Sequence, residues 1–307
     1  MVSFVTAHRP KLHLREMLLV AGVLAANSAV IAWDQAPAAK EIKWPIKPID
    51  LSRLREEGAN MLSLYHTQIT DTGMKQLCEC HTLWSLTLYS EVIVPKTGLK
   101  GLAKLTNLKE LAVLGPPVTD ADLAEIGALK NLTTLYLSSP HSTITDAGLK
   151  ELRPLKNLTR LELGFAHITE AGLKELRGLT NLTNLAVDHT GITIAGLREL
   201  GEHKQLTNLN LGDTRITDAA LKELRVLKNL TALDVRNTAI TDGGLKELRE
   251  LNGLTTLCLI NTRITDAGVK DLGQLKKLSG LWLNDTKVTD AGLAELRKLI
   301  PNANIVQ

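Results

Sequence analysis

The sequence predicts an α/β solenoid of about ten stacked 24-residue repeats, with a parallel sheet on one wall and short helices on the other. A fixed period is the first reason. Gly73, Gly98, Asp122, Gly148, Gly172, Gly196, Ala220, Gly244, Gly268 and Gly292 hold the same place in a recurring TDAGL-like segment, at intervals of 25, 24, 26 and then 24 residues. Regular spacing of this length marks a repeat architecture. The second reason is a change of pattern inside each unit. Leu221, Leu224 and Leu227 are spaced by three, as on one face of a short helix, whereas Leu233 and Val235 alternate with polar residues, as in a half-buried strand. The third is that one unit cannot bury its own apolar side chains, so neighbours must stack and share a core. Strands stack at about 4.8 Å and helices need roughly 10 Å, so the stack must curve into a horseshoe with its sheet on the concave side.

The elements follow in chain order. HRPKLHLRE is basic, and residues 17–32 (MLLVAGVLAANSAVIA) are apolar except for Asn27 and Ser28. Residues 1–32 therefore read as a secretory signal, with Ala32–Trp33 as the cut. The apolar run is shorter than the ~20 residues that span a bilayer; the alternatives are an uncleaved N-terminal anchor and an amphipathic cap over the first repeat. Residues 33–48, with three prolines, read as a linker, and residues 49–307 as the repeat domain. IDLSRLREEGANMLSLYHTQIT is a degenerate first repeat, and LRKLIPNANIVQ ends on a last partial strand around Ile305. Within a typical unit Thr217 is placed to cap the helix, and Asp218 in the first turn suits the positive end of the helix dipole.

The motif Leu230-x-x-Leu233-x-Val235-x-x-Thr238-x-Ile240-Thr241-Asp242 resembles the leucine-rich repeat, and its ITDxGL segment is similar to the cysteine-containing subtype. Thr67, Thr190, Thr214, Thr238, Thr262 and Thr286 stand where that subtype has Cys and others have Asn. The resemblance covers residues 49–307 and implies a binding scaffold that holds its ligand on the concave wall. It does not name a ligand, because a fold is not a function.

Composition narrows the choice. Hydrophobic residues make up 44% of the chain, yet only nine are aromatic, so leucine builds the core. Net charge is +3, of which residues 1–50 supply +2 (six basic against four acidic), leaving the repeats near balance. No domain-wide basic field is left for nucleic acid. Cys78, Cys80 and Cys258 read as core residues: CECH lacks the second ligand pair of a zinc site, and Cys258 is too many strands from Cys78 for a disulfide. The four NLT sequons coincide with the repeat consensus and carry no separate message. Phosphate-loop, zincin and nucleophile-elbow motifs are missing from the sequence. Asp188 and His189 are adjacent on a strand and so point to opposite sides. The expectation is a non-enzymatic chain without a cofactor or metal.

The concave wall carries the candidate site. Residues just before, between and just after the two strand leucines face inward, which places Tyr65, Tyr89, Tyr136 and Trp282 on the wall and Phe165 at its rim. A core would have held these rings among the leucines; on a wall they are anchors for a partner, or else stack along the sheet to stabilise it. Repeats two to four break pattern just after the strand (YSEVIVPKTG, LGPPVTDAD, SSPHSTITDAG), putting Glu91, Pro116 and Pro140 where threonine is usual, with Ser138 and His141 alongside. Such irregularities map to one face of a solenoid, often the binding one, and prolines lower the ordering cost of a partner. Farther on, Asp188, Asn210, Asp213, Asp234, Arg236, Asn237 and Asn284 form a polar, partly acidic stretch, read as a solvated wall, with a second half-site as the alternative. These readings lead to an exported, non-catalytic scaffold for a protein or peptide. The alternatives are an intracellular, cytoplasmic substrate-recognition scaffold resembling F-box ubiquitin-ligase receptors, a structural or adhesion surface protein, and a glycan binder using Tyr65, Tyr89 and Tyr136.

Overall fold

The structure is a computed structural model that describes residues 3–4, 47–48, 51, 58–89 and 92–307. All of the proposed leader but Ser3–Phe4, its cleavage point, nearly all of the linker, and Glu91 lie outside the described residues. The chain divides into two compact units, Met1–Ala166 and His167–Gln307.

In the first unit the strands are β1 (Ser3–Phe4), β2 (Lys47–Pro48), β3 (Met61–Leu64), β4 (Thr67–Gln68), β5 (Ser85–Leu88), β6 (Glu110–Val113), β7 (Thr134–Leu137) and β8 (Arg160–Glu162). From β3 through β5, β6 and β7 to β8 they pair in parallel, in a register that aligns Leu62, Leu86, Leu111, Leu135 and Leu161. β1 lies antiparallel on the free edge of β3, and β2 pairs in parallel with β4. The second unit repeats the pattern with β9 (Asn184–Ala186), β10 (Asn208–Asn210), β11 (Ala232–Asp234), β12 (Thr256–Cys258), β13 (Gly280–Trp282) and β14 (Asn304–Val306). Leu185, Leu209, Leu233, Leu257, Leu281 and Ile305 form its aligned row. Identical spacing in successive units fixes this register, because a one-residue slip would turn every leucine to the other face.

The helices are α1 (Asp71–Cys78), α2 (Asp120–Gly127), α3 (Asp146–Leu149), α4 (Glu170–Glu175), α5 (Ile194–Glu199), α6 (Asp218–Glu223), α7 (Asp242–Leu248), α8 (Val269–Leu272) and α9 (Asp290–Leu299). Most are short and several continue as a turn of 3-10 helix, which keeps the outer layer narrow. Repeat two has only a 3-10 turn, Leu102–Lys104, where the pattern predicts a helix. Pro95 and Lys96 replace the capping Thr and the following Asp there. The hydroxyl acceptor is lost, and a cation would sit at the positive end of a dipole.

Inter-repeat contacts are repetitive as well. The aligned strand leucines of both units are buried, at 2% exposure or less. Thr190, Thr214, Thr238 and Thr262 are buried, and each hydroxyl donates to the carbonyl three residues back, at 2.5–2.6 Å. Asn131, Asn157 and Asn229 donate from their amides to Thr106, Lys130 and Lys204 carbonyls of the preceding repeat. These three sequon asparagines are thus braces between repeats. Cys78, Cys80 and Cys258 are buried and free.

A second brace joins the helix N-termini. Asp218 accepts from the backbone N–H and the hydroxyl of Thr241 one repeat on, at 2.7 and 2.6 Å; Asp120–Thr145, Asp242–Thr265 and Asp266–Thr289 repeat it. With its hydrogen committed to the carboxylate, the threonine hydroxyl turns a lone pair to the helix. Thr145, Thr241, Thr265 and Thr289 all cap in this way. Thr193 and Thr217 do not, and the residues one repeat before them are Glu170 and Ile194. The expected cap at Thr217 is therefore corrected: the residue type is right, but its orienting carboxylate is absent.

Candidate functional site

The candidate site of the first unit lies on the sheet face opposite the leucines. Parallel pairing continues one residue past the strands: Tyr89, Leu114 and Ser138 donate their N–H groups to the carbonyls of Leu64, Leu88 and Val113. Tyr65, Tyr89, Leu114 and Ser138 thereby form one row, all half-buried. The rings of Tyr65 and Tyr89 stack at 4.1 Å between centroids with 12° between their planes. Each ring covers one face of the other. Two residues before Ser138, on the same face, Tyr136 is paired in register with Ala112 and Glu162 and is half-buried. Burial pushes its phenol above the ordinary range, against the charge and hydrogen bond of Arg160. It therefore remains a hydrogen-bond donor at neutral pH.

The irregular loops run along the edge of this face. Pro116 is buried, whereas Pro140 and His141 are exposed. Two serines that sequence reasoning passed over explain the contrast. Buried Ser139 donates to the Gly115 carbonyl at 2.7 Å, and buried Ser142 accepts from the Val118 N–H at 3.2 Å. They pin the fourth loop to the third and leave Pro140–His141 as a projecting tip. Between the second and third loops is a groove of about 590 Å³, lined by Val92–Gly98 on one side and by Gly115–Pro117, Thr119, Ala121 and Asp122 on the other. Ile93 in its wall is 46% exposed, one of two large apolar side chains so placed among the described residues. Phe165, half-buried, has φ +64°, a conformation uncommon for a bulky side chain.

Comparison with known proteins agrees with this geometry. Residues 226–248 match a family described as Leucine Rich repeat. Among solved structures, an internalin (inlF) from Listeria monocytogenes superposes with a TM-score of 0.64 at 24% identity, covering 84% of this chain and 76% of that one. An internalin C2 (inlC2) from the same organism gives 0.51 at 24% identity, with 78% and 84% covered. By fold and by repeat, the chain is a leucine-rich repeat protein. No curated protein matches it in sequence. At these identities the structural likeness concerns the fold alone.

In the second unit of this leucine-rich repeat protein, the same face carries Trp282, half-buried and laid over Gly280; a Cβ there would come within 2.8 Å of the indole. Trp282 thus sits in a different unit from the tyrosines. The polar stretch is less solvated than expected. Asp234 is fully buried and pairs with Arg236 at 3.2 Å, and Asn210 is 5% exposed. Asn210 donates to Asp188 at 3.2 Å and accepts from the Gly212 N–H at 2.9 Å, while the Arg236 stem lies against Gly212. Burial raises the carboxyl of Asp188, with His189 and Arg236 opposing. It also pushes the Cys258 thiol up to about 12, and Cys78 up to about 11. Thiols in that range carry almost no thiolate at neutral pH and make poor nucleophiles. His189 does find an acid, but in the next repeat: its Nε2 lies 3.3 Å from Asp213. His189 and Asp213 both have positive φ, as do Asn237, Asn261 and Asp285. Asn, Asp and His are the side chains that enter that region most readily. Asn237 donates to Asp213 at 2.9 Å and Asn261 to Asn237 at 2.8 Å. Among the described residues no cluster of three or more His, Cys, Asp or Glu is arranged to hold a metal ion.

Proposed function

We propose that this leucine-rich repeat protein is a non-catalytic, exported scaffold that binds a protein or peptide on the sheet face opposite its helices. The row of Tyr65, Tyr89 and Leu114, with Tyr136 beside it, carries the reading. It places half-buried apolar surface and phenol hydroxyls on a backbone held rigid by parallel pairing. Rigid aromatic edges with a polar tip are the side chains that dominate protein interfaces. Glycan stacking is the weaker use, since Tyr65 and Tyr89 each already cover one face of the other. Export rests on the basic-then-apolar composition of residues 1–32. The test is photo-crosslinking from a reactive analogue placed at Tyr136, in the native host, against a control at Lys222 on helix α6. A defined partner captured only from position 136, and lost with Tyr89→Ala, supports the site; equal capture from both positions counts against it.

A further inference from the structure

Beyond the strands, five pairs of successive repeats are joined a second time along the rim. Thr143 donates its N–H to the Val118 carbonyl, Gly191 to Ile168, Ala239 to Ile216, Arg263 to Ile240 and Lys287 to Ile264, at 2.8–3.3 Å. By repeat position the same bond between repeats two and three would run from residue 117 to the carbonyl of Val94. Residue 117 is proline and has no N–H to give. The groove opens at this step, with Val94 on one wall and Pro117 on the other.

Its Val94 wall is a strand edge. Ile93 uses both backbone groups toward repeat one: its N–H donates to Thr67 at 2.9 Å and its carbonyl accepts from Ile69 at 2.8 Å. Backbone groups alternate sides along an extended chain, so those of Val94 point the opposite way, into the groove. Neither has a hydrogen-bond partner among the described residues. The charge of the groove is one-sided. Asp122 is buried and engaged, accepting from the Leu99 N–H and from the N–H and hydroxyl of Thr119. Lys96 is exposed and has no ion pair among the described residues.

We propose that this rim groove takes an extended peptide segment of a partner protein by strand addition, filling the step that Pro117 leaves open. The segment accepts from the Val94 N–H and donates to its carbonyl, as in other cases where a peptide completes a sheet edge. An apolar side chain packs between Ile93 and Pro116. Running parallel to Ile93–Lys96, as neighbouring rim segments run, the segment places an acidic residue at its C-terminal end beside Lys96. A volume of about 590 Å³ is of the size that specific sites enclose, ~300–1,000 Å³. The two prolines hold the far wall in place before binding, which lowers the ordering cost. The groove is on the rim, so this contact does not depend on the tyrosine wall.

The experiment uses the full chain and a fluorescein-labelled, acetylated Thr-Val-Thr-Val-Asp peptide, read by anisotropy. Saturable binding is expected. N-methylation of the second valine should weaken it at least tenfold, because the donor to Val94 is removed. Pro117→Arg, which supplies the residue type repeat nine carries, should close the rim bond, raise the thermal midpoint and weaken the peptide at least tenfold. Lys96→Glu, an exposed change that leaves the fold intact, should weaken it about fivefold and favour a peptide ending in Lys. Tyr89→Ala should leave it unchanged. No saturable binding by the wild type overturns the proposal. So does undiminished binding after N-methylation or in Lys96→Glu, and so does loss of binding in Tyr89→Ala, which would place the peptide on the wall.

Discussion

Asp218 shows how one side chain fixes the identity of others. Its carboxylate holds Thr241, and it also lies where a Cβ at Gly244 would come within 2.6 Å. Glycine at the fourth position of TDAGL is thus required by an aspartate in the preceding repeat. The exception fits the same account: Ala220 is fully buried, and the residue one repeat before the corresponding aspartate position is Ile194, which carries no carboxylate. Gly244→Ala should therefore destabilise the protein by about 1–3 kcal/mol through overpacking, measured by chemical unfolding. Ile194→Asp with Ala220→Gly should restore the missing brace and the cap at Thr217, gaining about 1 kcal/mol; Ile194→Asp alone should not. The brace has a pH signature too. Two hydrogen bonds from Thr289 hold the Asp266 carboxyl below its usual range. The stabilisation it gives is present above the unfolded carboxyl pKa and is lost as pH falls through the lowered, folded one.

His203 is the other informative residue. It stands in the buried column of Leu179, Leu227 and Leu251, itself fully buried, with Nδ1 3.2 Å from the Leu179 carbonyl and Nε2 without a partner. Burial lowers its pKa, against the pull of the Leu179 carbonyl, so the ring is neutral in the fold. The unfolded chain takes up a proton below about pH 6.5 and the folded one does not, so stability falls as pH drops from there toward the lowered, folded value. His203→Leu should raise the thermal midpoint and flatten this dependence between pH 7 and pH 5, with a gain of about 1–3 kcal/mol from removing an unsatisfied buried group. Equal slopes for the two proteins would show that the imidazole is not the titrating group.

At the scale of elements, the strands are the rigid part and the loops after them the variable part. Within each unit the interior repeat strands pair with both neighbours through an aligned leucine, so damage should spread to adjacent repeats and then fade. Leu233→Asp buries an unpaired charge and should cost about 3–5 kcal/mol. Hydrogen exchange should rise most in β10, β11 and β12, and least in β14. On the helix side, Arg198–Glu223 and Lys228–Glu250 link successive repeats through exposed ion pairs. Exposed pairs contribute at most about 1 kcal/mol and are screened by salt, so the apolar ladder sets the stability.

For the molecule as a whole, the open question is its N-terminus. Intact mass of protein purified from its native host decides between a chain starting near Trp33 and one starting at Met1. The former establishes export; the latter, found in the cytosol, favours the intracellular scaffold. The structure adds a second readout, since β1 covers the edge of β3 through Ser3–Phe4. A retained N-terminus should protect the β3 backbone groups that face it from exchange, and a cleaved one should leave them open. Among the described residues no helix is long and apolar enough to cross a membrane.

The sequence by itself determined the repeat, the in-register leucine strands, the last strand around Ile305 and the places where the pattern breaks, because each is a local spacing copied many times. Placing Tyr65 and Tyr89 on one face also follows from period-two alternation. What only the tertiary structure decided depends on distances between repeats. The stack of those two rings, the anchoring by Ser139 and Ser142, the His189–Asp213 contact and the open step beside Pro117 each join residues about 24 positions apart. A period says that such residues are neighbours; whether their side chains meet is settled by rotamers and backbone angles that no spacing records.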